Sequence, residues 1–217
     1  MKRIFFVLTL FSALFIFSAC ATTQEKPVRV RDETYIADIN PFIIDTFHYY
    51  ASRKMGKPKI CDFTFSFAPR TNILYVTTRI GINYIRIGFT YKERMALLEI
   101  HDKYIEELNA GLIKNEKPTK KNAYSKSAAS VEWGTMGITY ETIATYMTNT
   151  YFLEQGKPYF RFYFVSTECQ NEEDKGTSSP PFYVYLSPAQ WEKIIQVCQQ
   201  DLLVSRTDEI LEEANEF

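Results

Sequence analysis

Ile60-Cys61-Asp62-Phe63-Thr64-Phe65-Ser66-Phe67 alternates phenylalanine at 63, 65 and 67 with polar side chains at 62, 64 and 66. A period of two sends successive side chains to opposite sides of a strand, so one face of this stretch is apolar and the other polar. Ile73 to Arg79 and Asn83 to Phe89 continue the pattern. Turns at Ala68-Pro69-Arg70-Thr71-Asn72 and at Gly81 separate the three runs, which predicts an antiparallel meander. Thr90 and Glu93 then form a Thr-x-x-Glu capping box. Arg94, Leu97, Leu98, His101, Ile105 and Leu108 follow at helical intervals until Gly111, predicting a helix packed on the meander.

Upstream, Asn40-Pro41 combines a capping side chain with a proline that needs no amide partner, and Gly56 is a matching stop. Ile43, Ile44, Phe47 and Ala51 between them share one face at helical spacing, so the expectation for this stretch is an amphipathic helix carrying His48.

Downstream, residues 112 to 130 lose large apolar residues and gain Lys114, Lys117, Lys120, Lys121 and Lys126. They read as a basic, flexible linker in solvent, with contact to anionic lipid headgroups as the alternative. Strands resume at Val131 to Tyr140, Ile143 to Leu153 and Tyr159 to Thr167. In the last, Phe160, Phe162 and Phe164 face one way and Tyr159, Arg161 and Tyr163 the other. A polar excursion over residues 170 to 179 precedes the strand Phe182 to Leu186. Ser187-Pro188-Ala189-Gln190 then opens a helix with a buried stripe of Trp191, Ile194, Ile195, Cys198 and Leu202, and a final acidic helix is expected from Thr207.

Thr90 and Glu93 align with Ser187 and Gln190 at a constant offset of 97, as Leu97-Leu98 do with Ile194-Ile195. The expected fold class is therefore α+β: antiparallel sheets with capped helices in two similar meander-then-helix halves, residues 34–111 and 131–217. The alternative is chance, because many α+β units share this order. Each half is similar to the meander-plus-helix unit of the Whirly and related single-stranded-DNA-binding folds, with Leu186-Ser187-Pro188-Ala189-Gln190-Trp191 standing at the strand-to-helix junction. That likeness concerns fold alone. A nucleic-acid groove needs cations clustered among its aromatics, whereas these strands carry only Arg79, Arg86 and Arg161, so no nucleic-acid partner is expected.

The N-terminus indicates location. Lys2 and Arg3 precede an apolar run from Ile4 to Phe17, too short for a spanning helix and patterned like an export signal. Phe17-Ser18-Ala19-Cys20 resembles the lipobox of bacterial lipoproteins, with Phe17 where an aliphatic residue is usual. The resemblance implies cleavage between Ala19 and Cys20, a diacylglyceryl group on the Cys20 thiol, and acylation of the new amino group. Residues 1–19 are then a removed signal peptide and residues 20–33 a tether to a bacterial envelope membrane, facing the periplasm or the cell surface. An ordinary signal cut elsewhere, or an uncut anchor, is the alternative. Loss of Lys2 and Arg3 with the signal leaves a net charge of −3.

The chemistry-bearing residues are sparse. His48 and His101 are the two histidines, and neither accompanies a Gly-x-Ser-x-Gly elbow. There is no glycine-rich phosphate loop, and Cys61, Cys169 and Cys198 lack metal-ligand spacing, so no catalytic residue, metal or cofactor is assigned. Whether any two of those cysteines pair stays open. Tyrosine and phenylalanine are abundant, at 15 and 17 copies. Tyr75, Tyr84, Tyr159, Tyr163, Tyr183 and Tyr185 are candidates for lining an exposed, ligand-binding sheet face, since tyrosine joins a flat apolar ring to a polar tip. The expected function is a non-enzymatic binding or assembly module, lipid-anchored in the envelope and engaging a protein or envelope component. The alternative is a hydrolase of envelope polymers.

Overall fold

A computed structural model describes residues 31–135, 137–153 and 156–215. Its strands are β1 (Phe42–Arg53), β2 (Lys59–Ala68), β3 (Ile73–Ile80), β4 (Asn83–Phe89), β5 (Ser125–Thr135), β6 (Ile138–Leu153), β7 (Lys157–Phe164) and β8 (Phe182–Leu186). Each pairs antiparallel with the next, and β8 pairs with β1 to close the barrel. Helix α1 (Tyr91–Asn109) follows β4, while α2 (Pro188–Cys198) and α3 (Gln200–Asn215) follow β8. β4 and β8 run in the same direction, so α1 and α2 both start at one mouth of the barrel and pack together there.

This architecture overturns the expected α+β fold with separate sheets. The ladder Ile85↔Trp133 and Ile87↔Val131 joins β4 to β5, and Tyr50↔Tyr185 joins β1 to β8, so strands from both parts of the chain share one closed barrel. Two separate Whirly-like halves are accordingly absent. Alternation shows which side chains a strand buries, but not which strand lies beside it. The stretch expected to be a linker also contributes, because β5 begins at Ser125 and pairs with β6 from there.

The helix expected between Asn40 and Gly56 is instead β1, nine of whose residues pair with β2 from Phe42↔Phe67 to Ala51↔Lys59. A register shift between Ile43 and Asp45 interrupts the alternation at the start of the strand. The extra residue puts Ile44 and Phe47, three apart, both against the core as a helical stripe would, while Ile43 is exposed. Beyond it Phe47, Tyr49 and Ala51 turn inward at period two, and the aromatic and β-branched content suits a pleated surface. Two smaller differences have similar causes. The expected strand Val131–Tyr140 is split by a turn containing Gly137 at φ +88°, and the expected helix through Leu202 breaks at Gln199, which is extended.

An eight-stranded barrel is just wide enough for side chains to fill it, and aromatic rings fill this one. Phe164 stacks on Phe182 with centroids 4.5 Å apart, and Trp191 of α2 stacks on Phe160 at 4.4 Å. Tyr104 of α1 meets the same Phe160 edge-on at 5.1 Å, so both helices plug the mouth. The remaining interior void is about 40 Å³ and is lined by apolar side chains including Phe63, Val76, Ile87 and Leu97. That is far below the several hundred Å³ of a small-molecule site. The sense of the barrel is also opposite to the apolar-out, polar-in alternation of transmembrane barrels.

Both helix starts use the caps expected of them. Thr90 Oγ1 accepts from the Glu93 amide while Glu93 Oε2 accepts from the Thr90 amide at 2.7 Å. Ser187 and Gln190 do the same for α2, with the Ser187 amide donating to Gln190 Oε1 at 2.8 Å. No helix among the described residues is long and apolar enough to cross a membrane.

Candidate functional site

The alternation of β7 builds the site. With Phe160, Phe162 and Phe164 committed to the interior, Tyr159, Arg161 and Tyr163 are directed to the outer face. On β8 the same constraint sends Phe182, Val184 and Leu186 inward, and Tyr183 and Tyr185 outward. Register then aligns the rows: Tyr50, Tyr185, Arg161 and Asn149 face one another across β1, β8, β7 and β6, and Ser52, Tyr183 and Tyr163 form the row beside them.

The rings make a continuous aromatic surface. Tyr163 and Tyr183 stack at 4.6 Å, Tyr151 lies 5.4 Å from Tyr185, and Tyr50 meets Tyr159 edge-on at 6.2 Å. Arg161 sits among them at 9% exposure. Its Cζ lies 5.0 Å from the Tyr183 ring centroid and 5.2 Å from that of Tyr151, within cation–π range. Nη2 donates to Asn149 Oδ1 at 3.3 Å, and Nε is buried without a hydrogen-bond partner. Among the described residues no carboxylate forms an ion pair with Arg161. Burial pushes its pKa below the usual arginine value, with Tyr185, Tyr183, Tyr151 and Tyr163 opposing the shift. The guanidinium remains charged at neutral pH. Burial likewise pushes the Tyr183 and Tyr185 hydroxyls up.

Asn149 extends the site to the preceding connector. Its amide donates to the Thr119 carbonyl at 3.1 Å, holding that segment against β6. Farther along, Lys103, Lys114 and Lys121 line a groove of about 240 Å³ together with Glu107 and Glu116, so the basic stretch faces carboxylates of the same chain.

Four of the six expected tyrosines, Tyr159, Tyr163, Tyr183 and Tyr185, therefore share one face. Tyr75 and Tyr84 lie elsewhere, on β3 and β4. The Arg86 guanidinium sits 3.7 Å above the Tyr75 ring while pairing with Glu132, and Tyr84 lines a separate groove with Arg79 and Ile82. Sequence reasoning missed Arg161 as the centre of the face, and Tyr50, Ser52, Asn149 and Tyr151 as its borders. The available signal was Tyr159-x-Arg161-x-Tyr163, in which period two places the cation on the side of the tyrosines. Cys20 lies outside the described residues. The last residues of the expected tether are held down, with Arg31 bonded to Asp208 of α3.

The histidines are arranged differently. His48 Nδ1 lies 2.7 Å from Asp62 Oδ1 on the exposed outer face of β1 and β2. His101 is buried beside Trp191, with Nε2 at 2.8 Å from Glu192 and Nδ1 at 3.2 Å from Asp102. Among the described residues no group of three or more His, Cys, Asp or Glu side chains is placed to hold a metal ion.

The fold is a closed antiparallel barrel with a filled interior and an aromatic outer face. Residues 16–205 match the family described as "Uncharacterised Treponema protein", and the chain belongs to that family. One relative, an uncharacterized protein of Treponema pallidum (strain Nichols), is 25% identical over 156 residues, covering 72% of this chain and 56% of the relative. The chain thus spans little more than half of that relative's length. No solved structure matches the chain.

Proposed function

We propose that the chain is a lipid-anchored envelope protein acting as a non-enzymatic binding or assembly module, with the outer face of β6, β7, β8 and β1 as its binding surface. One observation carries the reading: a buried guanidinium, Arg161, stands among tyrosines and, among the described residues, forms no ion pair with a carboxylate. Tyrosine and arginine are the residue types that dominate the energetics of protein interfaces. Anchoring rests on the lipobox-like Phe17-Ser18-Ala19-Cys20, since two or three acyl chains hold a protein on a membrane where one does not.

A hydrolase is the weaker reading. Both ring nitrogens of His101 face carboxylates, leaving neither to take a proton from a nucleophile. Burial pushes the Cys61, Cys169 and Cys198 thiols up, away from the reactive thiolate.

Capture of partners from envelope extracts by the full chain separates the readings. The binding module requires a reproducible partner that survives His48→Ala and His101→Ala and is lost with Tyr163→Ala and Tyr183→Ala together. A hydrolytic activity abolished by His48→Ala or His101→Ala refutes it. For the anchor, Cys20→Ala is expected to change both the mass and the membrane partition; unchanged mass and partition refute lipidation.

A further inference from the structure

Among the described residues two arginines are nine-tenths buried or more, and their surroundings differ. Arg94, fully buried, donates to the carbonyls of Asn72, Phe89 and Cys198 and to the side-chain oxygens of Asn72 and Gln200, so its donors are saturated. Among the described residues Arg161 has a single long bond, to Asn149, and its Nε has none. A charged fork-shaped donor taken from water and left unpaired is costly, and the cost is removed if an anion completes the site.

We propose that Arg161 is the receptor for a carboxylate carried by a partner polypeptide, either an aspartate or glutamate side chain or a chain terminus, whose neighbouring side chains lie on the tyrosine face. This rests on the binding-module reading and names its partner chemistry. A planar guanidinium receives one carboxylate through two parallel hydrogen bonds, and Nε with one Nη is one of the two edges able to do so. The charge count favours this anion. Among the described residues Arg161 is the one cation over the rings of Tyr151 and Tyr183, matching the single charge of a carboxylate rather than the clustered cations of phosphate sites. Tyr163 and Tyr183 are partly exposed and stacked at 4.6 Å, and the Tyr183 ring lies 5.0 Å from Arg161 Cζ, so a ligand held by the guanidinium meets an accessible aromatic surface beside it. The flat surface around the charge suits a protein partner, whose interface core is rich in tyrosine contacts.

The test follows the Nε–H resonance of Arg161 in full chain labelled with ¹⁵N-arginine, during titration with N-acetyl-tyrosine, N-acetyl-tyrosinamide and inorganic phosphate. The expected result is a saturable shift with N-acetyl-tyrosine, at least tenfold weaker binding of the amide, and no competing effect of phosphate. Tyr183→Ala, which leaves the guanidinium in place, is expected to weaken binding of the carboxylate at least tenfold. Arg86→Met, at the arginine paired with Glu132, is expected to leave it unchanged. An equal response to the amide overturns the proposal, as does a stronger one to phosphate. A response to N-acetyl-tyrosine that persists in folded Arg161→Met, seen through the neighbouring Tyr183 signals, also overturns it. The broader reading fails separately: an envelope partner captured equally well by Arg161→Met leaves the binding module standing and removes the carboxylate, whereas no capture by the natural chain removes the module.

Discussion

Arg94 Nε donates to the carbonyl of Cys198 at 3.2 Å, joining residues 104 positions apart in the chain. Arg94 lies in the first turns of α1, and Cys198 is the last residue of α2, so this bond locks the two helices that plug the barrel mouth. The same guanidinium reaches Asn72 in the β2–β3 turn and Gln200 at the start of α3. Asn72 adopts a positive φ of 50° and donates to the carbonyls of Asp32 and Glu33. One buried side chain thereby connects the N-terminal segment, a barrel turn and all three helices.

Arg94→Met is expected to destabilise the protein by about 3–5 kcal/mol, because it strands several buried acceptors at once. Arg94→Lys should fall between the two, retaining the charge while reaching fewer acceptors. Denaturant unfolding curves check both, and a loss under about 1 kcal/mol for Arg94→Met contradicts this role.

Trp191→Ala is expected to cost about 3–5 kcal/mol. The indole is fully buried and stacked on Phe160, and its removal leaves a cavity that nearby rings cannot close without moving. Thermal unfolding, with fluorescence of the remaining Trp133, measures the loss.

Ser187→Ala removes the side chain that caps α2 and is expected to cost about 1 kcal/mol. Thr90→Ala should cost a similar amount at α1. The two caps are not bonded to each other, so the double variant should show a near-additive shift in the denaturant midpoint.

Alkaline pH should unfold the protein. Burial pushes the Tyr124 and Tyr146 hydroxyls up to about 12 and raises Tyr49 and Tyr104 as well. In the unfolded chain these groups ionise near 10. A raised folded-state value contributes stability fully present below pH 10 and lost as pH climbs through 12. Arg94, brought down to about 10 by burial, acts with the opposite sign, since its cost to the fold diminishes as it loses its proton. Four tyrosines outweigh one arginine, so denaturant midpoints should fall steadily above pH 10, with tyrosinate absorbance appearing together with unfolding.

Tyr163→Ala separates binding from stability. Its ring is partly exposed and contributes about 1 kcal/mol through its stack on Tyr183. The variant should remain folded near the natural midpoint while losing capture of the envelope partner. An unchanged yield of partner places the binding surface elsewhere.

What could be read along the chain and what could not divide by the range of the interactions. Alternation in Phe63-Thr64-Phe65-Ser66-Phe67 and in Tyr159 to Phe164 marked strands and their buried faces, because side-chain direction reverses at every residue. The boxes at Thr90 and Ser187 marked helix starts, because a cap is a contact between residues three apart. Residues 42–53 were misread because a bulge disguised the alternation and the local cap signal at Asn40-Pro41 was outweighed by the ladder to β2. Four tyrosines of the candidate face were legible from composition and alternation, but their convergence on Arg161 was not. That depends on the β7–β8 register, which sets Arg161 opposite Tyr185 24 positions away, and on closure of β1 against β8, which brings in Tyr50 from 135 positions away. By itself the sequence determined the period, the caps and the lipobox-like start. Tertiary structure alone decided that the strands close into one barrel and that, among the described residues, Arg161 has no carboxylate partner, because closure and charge pairing depend on which distant segments become neighbours.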